Sequence, residues 1–215
     1  MANAKKWSQV AIAMQSALAA TVAISAVTKA SPGVATTGSA HGYTTGDFVF
    51  ISAQGMRQID NRVFRISAAA GSSFTLEGED TTLYDTFSSG TVQKITFGTS
   101  VTTATSLSSS GGNYDFIDTT TIHGNAKSQM PGLANAINFE FDNIWDVSDA
   151  GLIAMKAASD QQGQRAFKFT FGTGGQIMVF AGYVGANLLP GGAAQQLVTT
   201  KAAITLNGSP SYYAA

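Results

Sequence analysis

The chain has 215 residues, enough for one sizeable core or for one core plus a smaller module. At 44% hydrophobic it is globular rather than disordered, while 12% charged residues leave a pale surface suited to burial against copies of itself. A net charge of −1 gives no basic footprint for gripping nucleic acid, and the absence of cysteine excludes a disulfide framework, a thiolate metal site and a cysteine nucleophile.

In chain order, Lys5 and Lys6 precede an apolar run from Val10 to Val27. It resembles a leader segment, but Gln15, Ser16, Thr21 and Ser25 interrupt it and it has no leucine block, so two strands are the better reading. It is also too broken to span a membrane. Val10, Ile12 and Met14 alternate with alanines, the period of a half-buried strand. Ser16 to Ala20 reads as a turn or short helical piece, and Thr21 to Lys29 as a second strand.

After the turn Ser31-Pro32-Gly33, short strands are expected at Val34–Thr37, Phe48–Ile51, Val63–Ile66, Ser73–Leu76 and Thr91–Ile95. Glycine-bracketed turns separate them, including His41-Gly42 through Gly46-Asp47. This spacing predicts a small all-β module. Thr99 to Gly112 is rich in Ser, Thr and Gly and reads as a connector, or as an exposed edge with a loop. Tyr114–Thr119 is a strand, and Thr120–Leu133 a long loop of the kind usually kept for function.

Ile137, Phe139 and Phe141 alternate with Asn138, Glu140 and Asp142 in the next strand. Ser148 is the expected N-cap of the one helix, with Leu152, Ile153 and Met155 as its apolar stripe and Gly163 as its end. Arg165–Phe171 and Gln176–Val184 form a hairpin about Gly172-Thr173-Gly174-Gly175. Leu197–Leu206 is the last strand. The expected core of this half is Phe116, Ile137, Phe139, Phe141, Trp145, Leu152, Phe167, Phe169, Val179 and Ile204.

No pattern carries catalysis. Gly172–Gly175 joins two strands and lacks the Gly-Lys-Ser/Thr ending of a phosphate loop. His41 and His123 have no companions at metal spacing. Glu77, Glu79, Asp80 and Asp85 read as a solvated acidic loop rather than a calcium site. Asp118, Glu140 and Asp142 read as an acidic sheet face rather than an acid–base pair. Neither an enzyme nor a cofactor is expected.

Residues 113–208 resemble the major tail tube proteins of long-tailed, siphovirus-type bacteriophages. The resemblance rests on the strand Phe116 to Thr120, the loop to Met130-Pro131-Gly132-Leu133, and the strand Ile137 to Phe141. It continues through Trp145-Asp146-Val147-Ser148-Asp149, Arg165-Ala166-Phe167 and Pro190-Gly191-Gly192. Residues 21–96 resemble a separate phage-tail β module, similar to the first catalytic cysteine half-domain of ubiquitin-activating enzymes. Its marks are Thr28 to Pro32, His41-Gly42 with Gly46-Asp47, Gly55-Met56, Asn61 with Phe64, and Ser88 to Val92. Without cysteine, no ubiquitin chemistry follows.

The resemblances imply a mainly β fold: a tail-tube β-sandwich or barrel with one packed α-helix, plus a small inserted all-β module. The tube domain would be discontinuous, residues 1–20 and 98–215, with residues 21–97 as an outward-facing insertion whose two end strands pair at its base. They also imply a structural subunit of the virion tail, assembled in the bacterial host cytoplasm into stacked, hexameric rings. Its partners would be itself and the tape measure, tail tip and terminator proteins. DNA would pass through the lumen without specific binding. Asp118, Glu140 and Asp142 are candidates to face the lumen. His123, Lys127, Gln129 and Pro131 are candidates for an inter-ring loop. The competing reading is a capsid or tail decoration, or a fibre-type binding protein.

Overall fold

The structure is a computed structural model that describes residues 7, 10–172 and 175–214. Lys5 and Lys6 lie outside the described residues, as do Thr173 and Gly174 of the expected hairpin turn. The described chain is mainly β, with 52% of residues in strands and 7% helical.

The first strand, β1 (Val10–Leu18), runs further than its alternation suggests, so the turn or helical piece expected at Ser16 is the strand's own end. There follow β2 (Val22–Val27), β3 (Val34–Thr37), β4 (Phe48–Gln54), β5 (Arg62–Ala70), β6 (Ser73–Leu76) and the long β7 (Ser89–Val101). The order β2-β3-β6-β5-β4-β7 is antiparallel throughout, and β7 pairs back onto β2 through Val22↔Val92 and Ile24↔Gly90. This pairing closes a six-stranded barrel and leaves it no free edge. Alternate side chains point inward because the strand period is two. Phe64, Phe74, Ile51, Ile66, Leu76 and Val92 fill the interior.

The acidic residues at the barrel's rim differ from the solvated loop expected of them. Glu79 takes two hydrogen bonds from the Arg62 guanidinium, at 2.5 and 3.2 Å, and one from the Tyr84 hydroxyl at 2.6 Å. Glu77 pairs with Arg65. Both arginines come from β5, whose neighbour β6 leads straight into these glutamates.

The second lobe is a curled sheet. Its strands are the far half of β7, then β1, β8 (Ala104–Ser110), β11 (Asn138–Ile144), β12 (Gln164–Phe171), β13 (Ile177–Ala186) and β14 (Thr199–Leu206). They run in the order β7-β1-β12-β13-β14-β11-β8. The curl is visible in the aromatic contacts. Phe139 of β11 lies 5.7 Å from Phe169 of β12, although two strands separate them in the sheet. Phe139, Phe141, Phe167, Phe169 and Phe180 form the centre of this core. Between β8 and β11 the chain makes a separate hairpin, β9 (Tyr114–Asp118) and β10 (Gln129–Ala134). The last strand, β15 (Ser211–Tyr213), adds to β13 end to end with β14.

The helix α1 (Ala150–Asp160) closes the open side of the curl. Its N-cap is Asp149, one residue later than expected, and the Asp149 carboxylate accepts the Leu152 N–H at 2.8 Å. Ser148 is engaged elsewhere: its N–H and hydroxyl both donate to Asp146. Asp149 wins because its second oxygen also accepts from the Thr102 hydroxyl at 2.9 Å, tying the helix to the end of β7. Gly151, Leu152, Met155 and Ala158 face the core, whereas Ile153 lies outside the stripe and is exposed. A Cβ at Gly151 would stand 2.6 Å from the Ser100 carbonyl oxygen, so only glycine lets the helix approach β7 this closely. The helix ends at Asp160, and Gln162 rather than Gly163 adopts the left-handed turn.

Two expected core residues are surface residues. Phe116 is 64% exposed on the β9–β10 hairpin, and Trp145 is 36% exposed with its indole N–H donating to the Leu188 carbonyl. The other eight are buried or packed against the buried clusters, Val179 in a third cluster with Val63, Ile95, Ala166, Ala181 and Tyr213 between the lobes. Burial pushes the Tyr213 phenol up to about 12 from its ordinary 10.0. The folded chain therefore favours the neutral phenol. Its contribution is complete below pH 10.0 and falls as pH rises towards 12, by about 2–3 kcal/mol in all. Tyr43 and Tyr84 are shifted upward by burial too and act with the same sign. Denaturant unfolding across this alkaline range should show a shallower loss of stability in Tyr213→Phe than in the parent chain.

Candidate assembly surfaces

The face of β11 opposite the phenylalanines is built by simple alternation. Asn138, Glu140 and Asp142 point away from the core, as expected. Register sets Ser110, Ser108 and Ser106 of β8 beside them on one side and Thr205, Ala203 and Lys201 of β14 on the other. The result is an open face of serine and threonine side chains around Asn138, Glu140, Asp142 and Lys201. Asp142 accepts the Ser106 hydroxyl at 2.7 Å and stands 3.8 Å from the Lys201 ammonium. That pair is exposed and contributes little to stability. Glu140 lies between Ser108 and Ala203, neither of which offsets its charge. The depression over this face is open, about 550 Å³, and offers Ser, Asn, Lys and carboxylate groups without an imidazole.

Asp118 is not part of this face. It ends β9, where its carboxylate accepts the Thr120 N–H at 2.8 Å. Hydrogen bonds from the Thr120 side chain and backbone hold its carboxyl below the usual range. The structure thus brings Glu140 and Asp142 together and sets Asp118 on a separate element.

The four other nominated residues share the hairpin. His123 and Lys127 lie in its connection, whereas Gln129 and Pro131 belong to β10. The last five residues of the stretch read as one long loop, Gln129 to Leu133, are therefore strand. Pro131 pairs opposite Phe116 and Gln129 opposite Asp118. Proline is tolerated because β10 is an edge strand, where a missing N–H costs no ladder bond. The hairpin leaves from the end of β8 and returns to the start of β11. Its base is tied by Asn135, which donates its N–H to the Asn113 carbonyl and accepts from the Gly112 N–H.

Two features add to the sequence reading: one was not legible beforehand, and the other decides between the connector and the exposed edge expected at residues 99–112 in favour of the edge. One is the apolar exposure of the hairpin: Tyr114, Phe116, Ile117, Met130 and Leu133 are all more than half exposed. An isolated two-stranded hairpin is marginal in water, and one carrying this much apolar surface is suited to a partner. The other is β8. It is the last strand of the sheet, pairs with β11 alone among the described strands, and contains neither proline nor a charged residue. Such an edge lacks the devices that keep strands from pairing with other chains. The alternation of β11 could have pointed to β8, since that strand needs a neighbour on each side.

A curled antiparallel sheet with an unguarded edge, a polar outer face and a projecting apolar hairpin suits a structural protein that associates through its surfaces. The chain belongs to the phage tail tube protein (TTP) family, whose model matches residues 54–215, from the end of β4 through every element of the sheet lobe except β1. It is a structural subunit of a bacteriophage tail tube, in a family that is not enzymatic, and it works in the virion tail with itself and other tail proteins. No curated protein matches the chain.

Proposed function

We propose that the subunit forms hexameric rings that stack into a hollow tube, through which DNA passes from capsid to host without specific binding. The observation that carries this reading is the β8 edge, which no described strand pairs with, beside a polar face. Pairing of each β8 with a neighbouring copy continues the sheet from subunit to subunit and removes the edge. The outer face of β8, β11 and β14 then becomes the lining. Its small polar side chains and the carboxylates of Glu140 and Asp142 repel phosphate, whereas a basic wall would hold the DNA. Asp118 joins this lining if the hairpin folds along the channel rim.

The hairpin carries the axial contact. Tyr114, Phe116, Met130 and Leu133 would be covered by the next ring, with His123, Lys127, Gln129 and Pro131 at the junction. Such a stack is head to tail and therefore open-ended, as a tube needs. Its further partners would be the tape measure, tail tip and terminator proteins, assembly taking place in the host cytoplasm. Residues 21–97 fit an outward-facing insertion similar to the cysteine half-domain fold, in a tube domain made of residues 1–20 and 98–215. Two observations support this: β2 and β7 pair at the module's base, and the barrel sits at the opposite end of the strand order from β8.

Replacing Asp118 and Glu140 together with lysine tests the lining. Tubes should still form, and delivery of DNA by phage carrying the double variant should fall about tenfold or more, because the cationic side chains recur in every ring. Normal delivery through such tubes would remove both residues from the channel.

A further inference from the structure

The two lobes are joined by one continuous ladder, by one strap, and by an apolar cluster of Val63, Ile95, Ala166, Val179 and Ala181 that Tyr213 of the strap completes. In the ladder, β7 serves the barrel through its first half, paired with β4, and the sheet lobe through its second half, paired with β1. The β1–β7 register slips twice where the lobes meet, between Met14 and Gln15 and between Gln15 and Ala17. Bulges of this kind bend a strand and interrupt its ladder. A Cβ at the neighbouring Gly98 would come within 2.5 Å of the Ser16 hydroxyl, so the Ser16 side chain occupies the space that any larger residue at position 98 would need.

The strap is β15, which belongs to both lobes at once. Its backbone pairs with β13 of the sheet lobe through Ser211↔Val179 and Ile177↔Tyr213. Its side chains reach β5 of the barrel. The Ser211 hydroxyl accepts from Arg62 at 3.2 Å, and the Tyr213 hydroxyl accepts the Arg65 N–H at 2.7 Å. The Arg65 guanidinium lies over the Tyr213 ring, 4.8 Å from its centroid. Ser211 and Tyr213 are 5% and 7% exposed. Arg62 is held by Glu79 and the Gln58 carbonyl within the barrel, so its place does not depend on the strap. Each lobe also has a core of its own, built from different residues.

We infer that β15 is a strap that fixes the angle between barrel and sheet lobe, and that without it the bulged β1–β7 ladder acts as a hinge while both lobes stay folded. The inference concerns the single subunit and does not rest on the tube reading. Its consequence is that the pose of the barrel is set by the β15 segment, which is far from it in sequence and close to it in space.

The test uses the absence of native cysteine. Leu83→Cys on the barrel and Ile153→Cys on α1, both exposed, carry spin labels in the full chain at dilutions where it is monomeric. Pulsed dipolar spectroscopy then reads the distance between lobes in three backgrounds: unaltered, Tyr213→Ala, and a chain stopped after Pro210. The strap predicts one narrow distance in the first and loss of that narrow population in the other two, with far-UV β signal and cooperative melting retained. Tyr213→Phe, which keeps the ring, should stay nearer the unaltered chain. Unchanged narrow distances in both strap variants would overturn the inference. So would loss of the folded state in both, since the lobes would then not stand on their own cores.

Discussion

A proline placed at Ser108 and a proline placed at Ser109 should give opposite results: one variant folds but forms no tubes, and the other is destabilised in the sheet itself. Successive residues of a strand aim their N–H groups at opposite edges. In β8 one edge faces β11 and the other pairs with no described strand. Proline has no N–H, so at the position aimed towards β11 it removes a bond of the subunit's own ladder. At the position aimed outward it leaves the subunit intact and removes a bond that only a neighbouring chain can make. The residue before each proline is already extended, so neither substitution meets a helical segment. Thermal melting sorts the two variants, and electron micrographs of concentrated samples read the assembly. If both assemble as well as the parent chain, β8 is not the joining edge.

Phe180→Ala should be the most damaging single change in the sheet lobe, costing about 3–5 kcal/mol. Phe180 is 1% exposed and stacks on Phe139 at 5.0 Å and on Phe167 at 5.7 Å, with Phe169 edge-on at 5.3 Å. These rings come from three other positions on two strands that only the curl brings together. Removing the central ring takes away its burial, its aromatic contacts and the support of the curl, and the neighbours are too rigid to fill the space. Against a total stability of about 5–15 kcal/mol for an ordinary domain, the loss should be plain in a denaturant titration and in soluble yield. A change below about 1 kcal/mol would mean that the curled core is not what holds the lobe together.

Much of the fold was legible because turn residues bracket apolar alternation. β3 and β6 begin and end at the residues expected from Val34–Thr37 and Ser73–Leu76. The strands read only as one of two alternatives, like β8, or not at all are those whose side chains carry no such signal. β8 is Ser and Thr around a single Leu, and it is a strand because β11 offers it an edge. β10 hides behind Pro131-Gly132, which reads as a turn unless the strand is known to be an edge. β15 is three residues long and exists through contacts with β13 and β5, distant in sequence.

The candidate face shows the same division. Alternation in β11 was enough to put Glu140 and Asp142 on one side and Phe139 and Phe141 on the other. It could not reveal that Phe116 would be exposed, since alternation identifies a strand's two faces and not which of them is covered. Nor could it separate Asp118 from the other two acids, because that depends on the β9–β10 hairpin leaving the main sheet. The helix cap moved from Ser148 to Asp149 for a tertiary reason, the hydroxyl of Thr102. Local rules favoured both residues equally.

The central claim is that this chain builds a hollow tube from rings of itself. Electron microscopy of the purified protein at high concentration, with its sedimentation profile alongside, tests it most directly. Hollow rings with six-fold symmetry, stacked into tubes, are the predicted result. Particles that remain single subunits even after addition of a tail-tip extract, which would supply a starting template, would contradict it.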